Sequence, residues 1–182
     1  MRTLVVFASK HGATRGIAER IAEKLCEAGM AAQARQAAAA GSLADWDAFV
    51  IGSAVYAGHW QKEASHFVQR NRAVLASKPV WLFSSGPLGT EAAGAQGRDL
   101  AAAAEPKEIA GFRALIVPRG HRVFFGALDP GSLGTAGRLF RKVPAGAALL
   151  PEGDFRDWAE IESWAGQIAS ELRRAPAAPA SR

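Results

Sequence analysis

The sequence predicts an α/β protein built on an open, doubly wound parallel sheet. Three observations predict it. Short, unbroken apolar runs of strand length recur along the chain, amphipathic helical patterns lie between them, and the loops after three of the strands are made of small, hydroxyl-bearing and glycine residues. Strands covered by helices on both faces read as continuous apolar runs instead of alternating ones. Strand–helix alternation implies parallel pairing through right-handed crossovers.

The elements follow in order. Leu4, Val5, Val6 and Phe7 place a first strand over residues 3–8. Ile17, Ile21 and Leu25 then recur every four residues, with Ala18 and Ala22 beside them and charges at Glu19, Arg20, Glu23 and Lys24, which is a helix with one apolar face. Gly29 suits its end. Cys26 falls in this helix and is expected to be buried and inert. Residues 31–35 are a weaker second strand. Phe49, Val50 and Ile51 mark a third over 48–52. Ala64, Phe67, Val68, Asn71, Val74 and Leu75 form one helical face before Pro79. Val80, Trp81, Leu82 and Phe83 give a fourth strand over 79–84, and Val123, Phe124 and Phe125 a fifth over 121–126. Residues 86–105 are rich in glycine and alanine and read as a loop or loose helix. Residues 129–152, rich in glycine and proline, read as an irregular insertion. The last helix carries Ile161, Trp164, Ala165, Ile168, Ala169 and Leu172, with Asp157 and Glu160 spaced as a capping box. A single domain over 1–174 and a disordered tail over 175–182 are expected.

Composition narrows the function. With 49% hydrophobic and 21% charged residues, the 182-residue chain is an ordinary globular sequence. Its one cysteine excludes an internal disulfide framework. No apolar run reaches membrane-spanning length and no leader pattern opens the chain, so a cytoplasmic protein is the expectation. The net charge is +5, from 22 basic and 17 acidic residues. The basic residues are scattered, Arg138, Arg141 and Lys142 around Phe140 being the one modest cluster. No nucleic-acid-binding module is recognisable, and no nucleic-acid partner is expected.

In an open parallel sheet, ligands bind beyond the carboxyl ends of the strands, where the strand order reverses. Three loops lie there. The first is Ser9, Lys10, His11, Gly12, Ala13 and Thr14. The first amides of the helix that follows lack intrahelical partners and carry partial positive charge, so they suit a phosphate. Ser9 and Thr14 add hydroxyls, and Gly12 admits close backbone approach. The competing reading makes Ser9 or Thr14 a simple helix cap. The loop matches neither a Walker nor a G-x-G-x-x-G pattern, which disfavours nucleoside triphosphates and dinucleotides. The second loop is Ala54, Val55, Tyr56, Ala57, Gly58 and His59, and the third is Ser84, Ser85, Gly86, Pro87, Leu88 and Gly89. Tyr56 is the only tyrosine, available either for stacking on a planar ligand or for folding onto the core. Trp60 suits packing at the next helix, and a Gly-Pro turn is the plain alternative for the third loop. The four histidines are too scattered for a metal site, and no nucleophile–base arrangement is recognisable.

The strand–"SKHGAT"–helix opening resembles the phosphate loop of flavodoxins. "LVVFASKHGATRGIAERIA", "IGSAVYAGHW", "FSSGPLG", "FFGAL" and the late "DW" together resemble one branch, the quinone-dependent protoporphyrinogen oxidases. The resemblance covers the chain up to Arg174. It implies a flavodoxin-like sheet of five parallel strands in the order 2-1-3-4-5 with FMN as cofactor. The first loop would hold the FMN phosphate, the second would cover the flavin ring, and the third would offer backbone groups to its pyrimidine edge. His59 is the one candidate to assist proton transfer. A flavin carries the redox chemistry, while the protein supplies position and electrostatics.

The implied activity is two-electron transfer from a reduced organic substrate, of the protoporphyrinogen IX type, to a quinone. Peripheral membrane contact and a homodimer are further expectations. The insertion here is poorer in aromatic and basic residues than in that branch, which weakens the porphyrin and membrane assignments. The rival is a flavodoxin-type electron carrier that docks on partner proteins. Carriers of that type are typically acidic, against the +5 charge here. A third reading is a flavin- or deazaflavin-binding regulatory domain without turnover.

Overall fold

The computed structural model describes residues 1–86, 105–129, 131, 133, 135, 139, 142–143 and 152–174. Five strands form the parallel sheet: β1 (Arg2–Ala8), β2 (Ala31–Gln36), β3 (Ala48–Tyr56), β5 (Val80–Ser85) and β6 (Gly120–Phe124). Their spatial order is β2-β1-β3-β5-β6. With the short hairpin strand β4 (His59–Trp60) set aside, this is the expected 2-1-3-4-5 order. β4 pairs antiparallel with the end of β3. A two-stranded ribbon, β7 (Ala127–Leu128) with β8 (Gly153–Asp154), follows the sheet.

Helices cover both faces. On one, α1 (Ala13–Glu27) and α5 (Trp158–Arg174) pack Ile17, Ile21, Leu25, Ile161, Trp164 and Ile168 against Val5, Val50, Trp81 and Phe83. On the other, α2 (Lys62–Arg70), α3 (Arg72–Ala76) and α4 (Glu108–Ile116) pack Phe67, Val68, Leu75, Ile109 and Phe112 against Leu4, Val6, Phe49, Ile51 and Leu82. Each central strand therefore buries both faces, which is why its sequence does not alternate. The edge strand β2 is only partly buried, and its apolar signal is correspondingly weak. Gly52, mid-β3, is required by packing, since a Cβ there would penetrate the Phe83 ring.

Several expectations are corrected. The helix expected across 64–75 is two helices broken at Asn71, whose side-chain amide donates to the Phe67 carbonyl at 2.8 Å and diverts the chain. Cys26 is exposed, not buried. Leu25 faces the sheet, and one further residue turns the chain about 100° around the helix, out to the solvent side. The third strand extends four residues beyond Gly52, because Ser53 and Ala54 are buried in the ladder despite being small or polar. α4 was not expected at all. The first half of the capping box is present: Asp157 Oδ1 accepts the Glu160 amide at 3.0 Å. The Gly/Ala-rich stretch at 87–104, most of the 129–152 insertion and the 175–182 tail lie outside the described residues.

Candidate functional site

The loop after β1 leads directly into α1. Gly12 is the N-cap residue and has φ +88°, a left-handed conformation that costs glycine nothing. Ser9 Oγ accepts the Gly12 amide at 3.1 Å, closing the loop on itself. The first intrahelical bond runs from the Gly16 amide to the Gly12 carbonyl at 3.0 Å. The amides of Ala13, Thr14 and Arg15 thus precede that ladder. No side chain caps the helix and no acidic residue lies in its first turn. The capping reading of Ser9 and Thr14 therefore gives way, and the helix end is free to receive an anion.

The second loop is a hairpin. β3 ends at Tyr56, β4 begins at His59, and the two residues between them, Ala57 (φ +51°) and Gly58 (φ +76°), both have positive φ. Positive φ at both central residues matches the right-handed strand twist of a type I′ turn. The hairpin is docked onto α4. The Lys107 amide donates to the Gly58 carbonyl at 3.2 Å, Glu108 Oε2 accepts the Trp60 amide at 3.1 Å, and Glu108 Oε1 lies 2.8 Å from His59 Nδ1. Burial pushes the Glu108 carboxyl up, but these hydrogen bonds outweigh it and hold the group below its ordinary range.

A cavity of about 270 Å³ opens between the loops. Ser9, His11, Ala13 and Thr14 form one wall, Ala54, Val55, Tyr56 and Ala57 a second, and Ser85 with Gly86 a third. Tyr56 is 45% exposed. His11 meets its ring edge-on at 6.3 Å, and Lys10 Nζ lies 6.0 Å from the ring centroid. Partial burial pushes the Tyr56 phenol above its usual value. Lys10, Gly12, Gly58, His59 and Ser84 sit in or beside these loops without lining the cavity, and His59 is engaged by Glu108 instead. Pro87, Leu88 and Gly89 lie outside the described residues.

A fourth wall was missed from the sequence: Gly126, Ala127, Leu128 and Leu133, just beyond β6. Its signal was available, since it is one more run of small residues after a strand end. Arg156 ties the ribbon beside this wall to α1. It makes a two-pronged pair with Asp154 at 2.7 and 2.6 Å, stacks on Trp158 at 4.3 Å and reaches the Ala13 carbonyl at 3.4 Å. That ion pair holds the Asp154 carboxyl below its ordinary value.

The family model for the flavodoxin domain matches residues 4–143. The chain belongs to the flavodoxin family. Among solved structures, it is similar to the rubredoxin oxygen:oxidoreductase of Desulfovibrio gigas, at 14% identity and TM-score 0.63 over 97% of this chain. The chain spans only 37% of that larger protein's length. A flavodoxin from the domain Archaea matches at 16% identity and TM-score 0.58, covering 96% of this chain and 100% of its own. A flavodoxin variant from Pseudomonas aeruginosa matches at 12% identity and TM-score 0.58, covering 95% and 99%. At these identities the structures attest the fold. No curated protein matches the chain.

Family membership makes FMN the cofactor, and the donor set fits it. The uncapped amides after Gly12, with the Ser9 and Thr14 hydroxyls beside them, suit a phosphomonoester. The half-exposed Tyr56 ring suits a flat heteroaromatic, and the Ser85–Gly86 backbone suits a polar ring edge. Bound there, FMN would supply the electron-transfer chemistry. Among the described residues, no three His, Cys, Asp or Glu side chains come together as a metal site, and no helix is long and apolar enough to cross a membrane.

Proposed function

We propose that this flavodoxin-family protein is an FMN-dependent oxidoreductase that moves two electrons from a reduced organic substrate to a quinone. A carboxylate-bearing substrate of the porphyrinogen class, its pyrrole rings joined by methylene bridges, is the favoured donor. The observation that carries the reading is the outer wall of the cavity, where a half-exposed Tyr56 ring is flanked by the Lys10 ammonium and His11. An aromatic face next to a cation suits one pyrrole ring and the carboxylate it carries. The net charge of +5 points the same way.

In this reading the chain's own residues orient and shield. The α1 amides anchor the phosphate, the Tyr56–His59 hairpin covers the ring plane, and Lys10 draws in the substrate's carboxylates. His59 is held by Glu108 at the hairpin's outer end, so it positions the loop more directly than it serves the reacting atoms.

The test is anaerobic turnover of the FMN-loaded protein with protoporphyrinogen IX and a soluble quinone, together with a potentiometric titration. Quinone reduction that depends on the porphyrinogen, with a two-electron slope, is expected. One-electron steps without quinone reduction would establish a carrier instead.

A further inference from the structure

Behind the cavity, on the face covered by α2 and α4, four side chains from distant parts of the sequence form one polar chain. Trp60 Nε1 donates to Ser84 Oγ at 2.8 Å, Ser84 Oγ lies 2.8 Å from His121 Nε2, and His121 Nδ1 lies 3.1 Å from Glu105 Oε1. Arg113 grips the same carboxylate in a fork at 2.8 and 2.6 Å. Ser84 is fully buried, and the His121 side chain is only 4% exposed. An indole N–H can only donate, so Ser84 accepts from Trp60. Its own proton has His121 Nε2 as acceptor when the imidazole carries its proton on Nδ1. The imidazole is then neutral, with its one N–H on Nδ1 facing Glu105.

A serine, a histidine and a carboxylate in this order resemble an activated nucleophile. Here the serine is sealed in the core and already committed to the indole, so no substrate can reach it. What the chain does touch is the framework of the cavity. Trp60 closes the hairpin that carries Tyr56 and Ala57. Ser84 immediately precedes Ser85 and Gly86. His121 lies on the strand that runs into Gly126, Ala127 and Leu128.

We propose that Trp60, Ser84, His121 and Glu105 form a positioning clamp that holds three of the four flavin-facing walls in register, and that the clamp is tightest while His121 is neutral. The inference rests on the FMN site described above. A proton on Nε2 turns that atom from acceptor to donor. Ser84 Oγ then accepts from both Trp60 and His121, its own proton loses its acceptor in a buried place, and the tie between hairpin and third loop is weakened by about one hydrogen bond. Among the described residues, the charged groups around the imidazole are Glu105 before α4, which favours the proton, and Arg113 on α4, which opposes it. Glu108 is the next carboxylate along, occupied by His59 and the Trp60 amide. Burial outweighs the Glu105 attraction and holds His121 below its ordinary value of 6.5.

Two measurements on the full chain test this. In the flavin-free protein, the Trp60 indole N–H resonance, assigned with Trp60→Phe, should shift with the same midpoint as the His121 imidazole. It should stay fixed in His121→Gln, where the amide can still accept from Ser84 and donate to Glu105 but cannot titrate. FMN affinity should fall between about pH 7.5 and about pH 5 by roughly tenfold more in the wild type than in His121→Gln, on the order of one buried hydrogen bond. The phosphate of FMN titrates equally in both proteins and cancels in that ratio. An indole signal indifferent to His121, or equal pH dependence in the two proteins, overturns the clamp. Should His121→Gln fail to fold, the wild-type resonance decides alone. If the indole follows His121 but no FMN binds at any pH, the clamp stands as a tie between loops and the FMN reading falls.

Discussion

The two ends of the flavin cavity are made of different material. The end beside α1 is backbone: a glycine at φ +88°, a serine that closes its own loop, and helix amides that no side chain caps. The opposite end is held by side chains, with Trp60, Ser84, His121, Glu105 and Arg113 passing hydrogen bonds across four elements. The backbone site depends on a few adjacent residues and on conformation. The side-chain site depends on a closed hydrogen-bond inventory in a buried place, where each unpaired group is costly. The first should tolerate most substitutions that keep its conformation, and the second should tolerate almost none.

The sharpest way to break that contrast is Ser84→Ala. It leaves the Trp60 indole N–H and His121 Nε2 unpaired in the core, and should lower stability by about 2–4 kcal/mol in chemical denaturation. At the other end, Gly12→Val forces a β-branched residue into the left-handed region, at about 1–2 kcal/mol. No heavy atom would crowd the added Cβ. The fold should survive, therefore, while FMN affinity falls roughly tenfold, as titration of flavin fluorescence would show. Tyr56→Ala removes the ring wall and should weaken FMN by up to about tenfold, with little change in the stability of the flavin-free protein. His59→Ala breaks a half-exposed pair with Glu108 and should change stability by less than about 1 kcal/mol.

The pH dependence of stability sharpens the same contrast. His121 is held below 6.5 chiefly by burial, so the unfolded chain takes up its proton more readily than the folded one. The stability contributed by neutral His121 is fully present above pH 6.5. It declines as the pH drops below that value, and levels off beneath the folded-state value. His121→Gln should flatten that segment of the profile.

The same division explains what the sequence made legible. The loop between β1 and α1 was readable because Ser9, Gly12, Thr14 and the periodic apolar face of α1 are contiguous, and local chemistry decides their structure. The central strands were readable because they are continuous apolar runs, and their order followed from the resemblance to flavodoxins. The clamp was not readable. Residues 60, 84, 105 and 121 meet only after the crossovers are built, and nothing in their local spacing marks them. α4 escaped although Ile109, Phe112 and Ile116 bury one face. Gly111 in its middle and the Gly/Ala-rich stretch before it mask the helical signal. Cys26 was misplaced for a simpler reason: one residue past Leu25 is enough to leave the buried face.

The account rests on a phosphomonoester held by the first turn of α1, and calorimetric titration of the flavin-free protein with FMN and with riboflavin tests it most directly. Two charge-assisted hydrogen bonds from backbone amides predict that FMN binds at least about a hundredfold more tightly than riboflavin. Equal affinity for the two would contradict the account, because the flavin would then be bound without its phosphate being gripped.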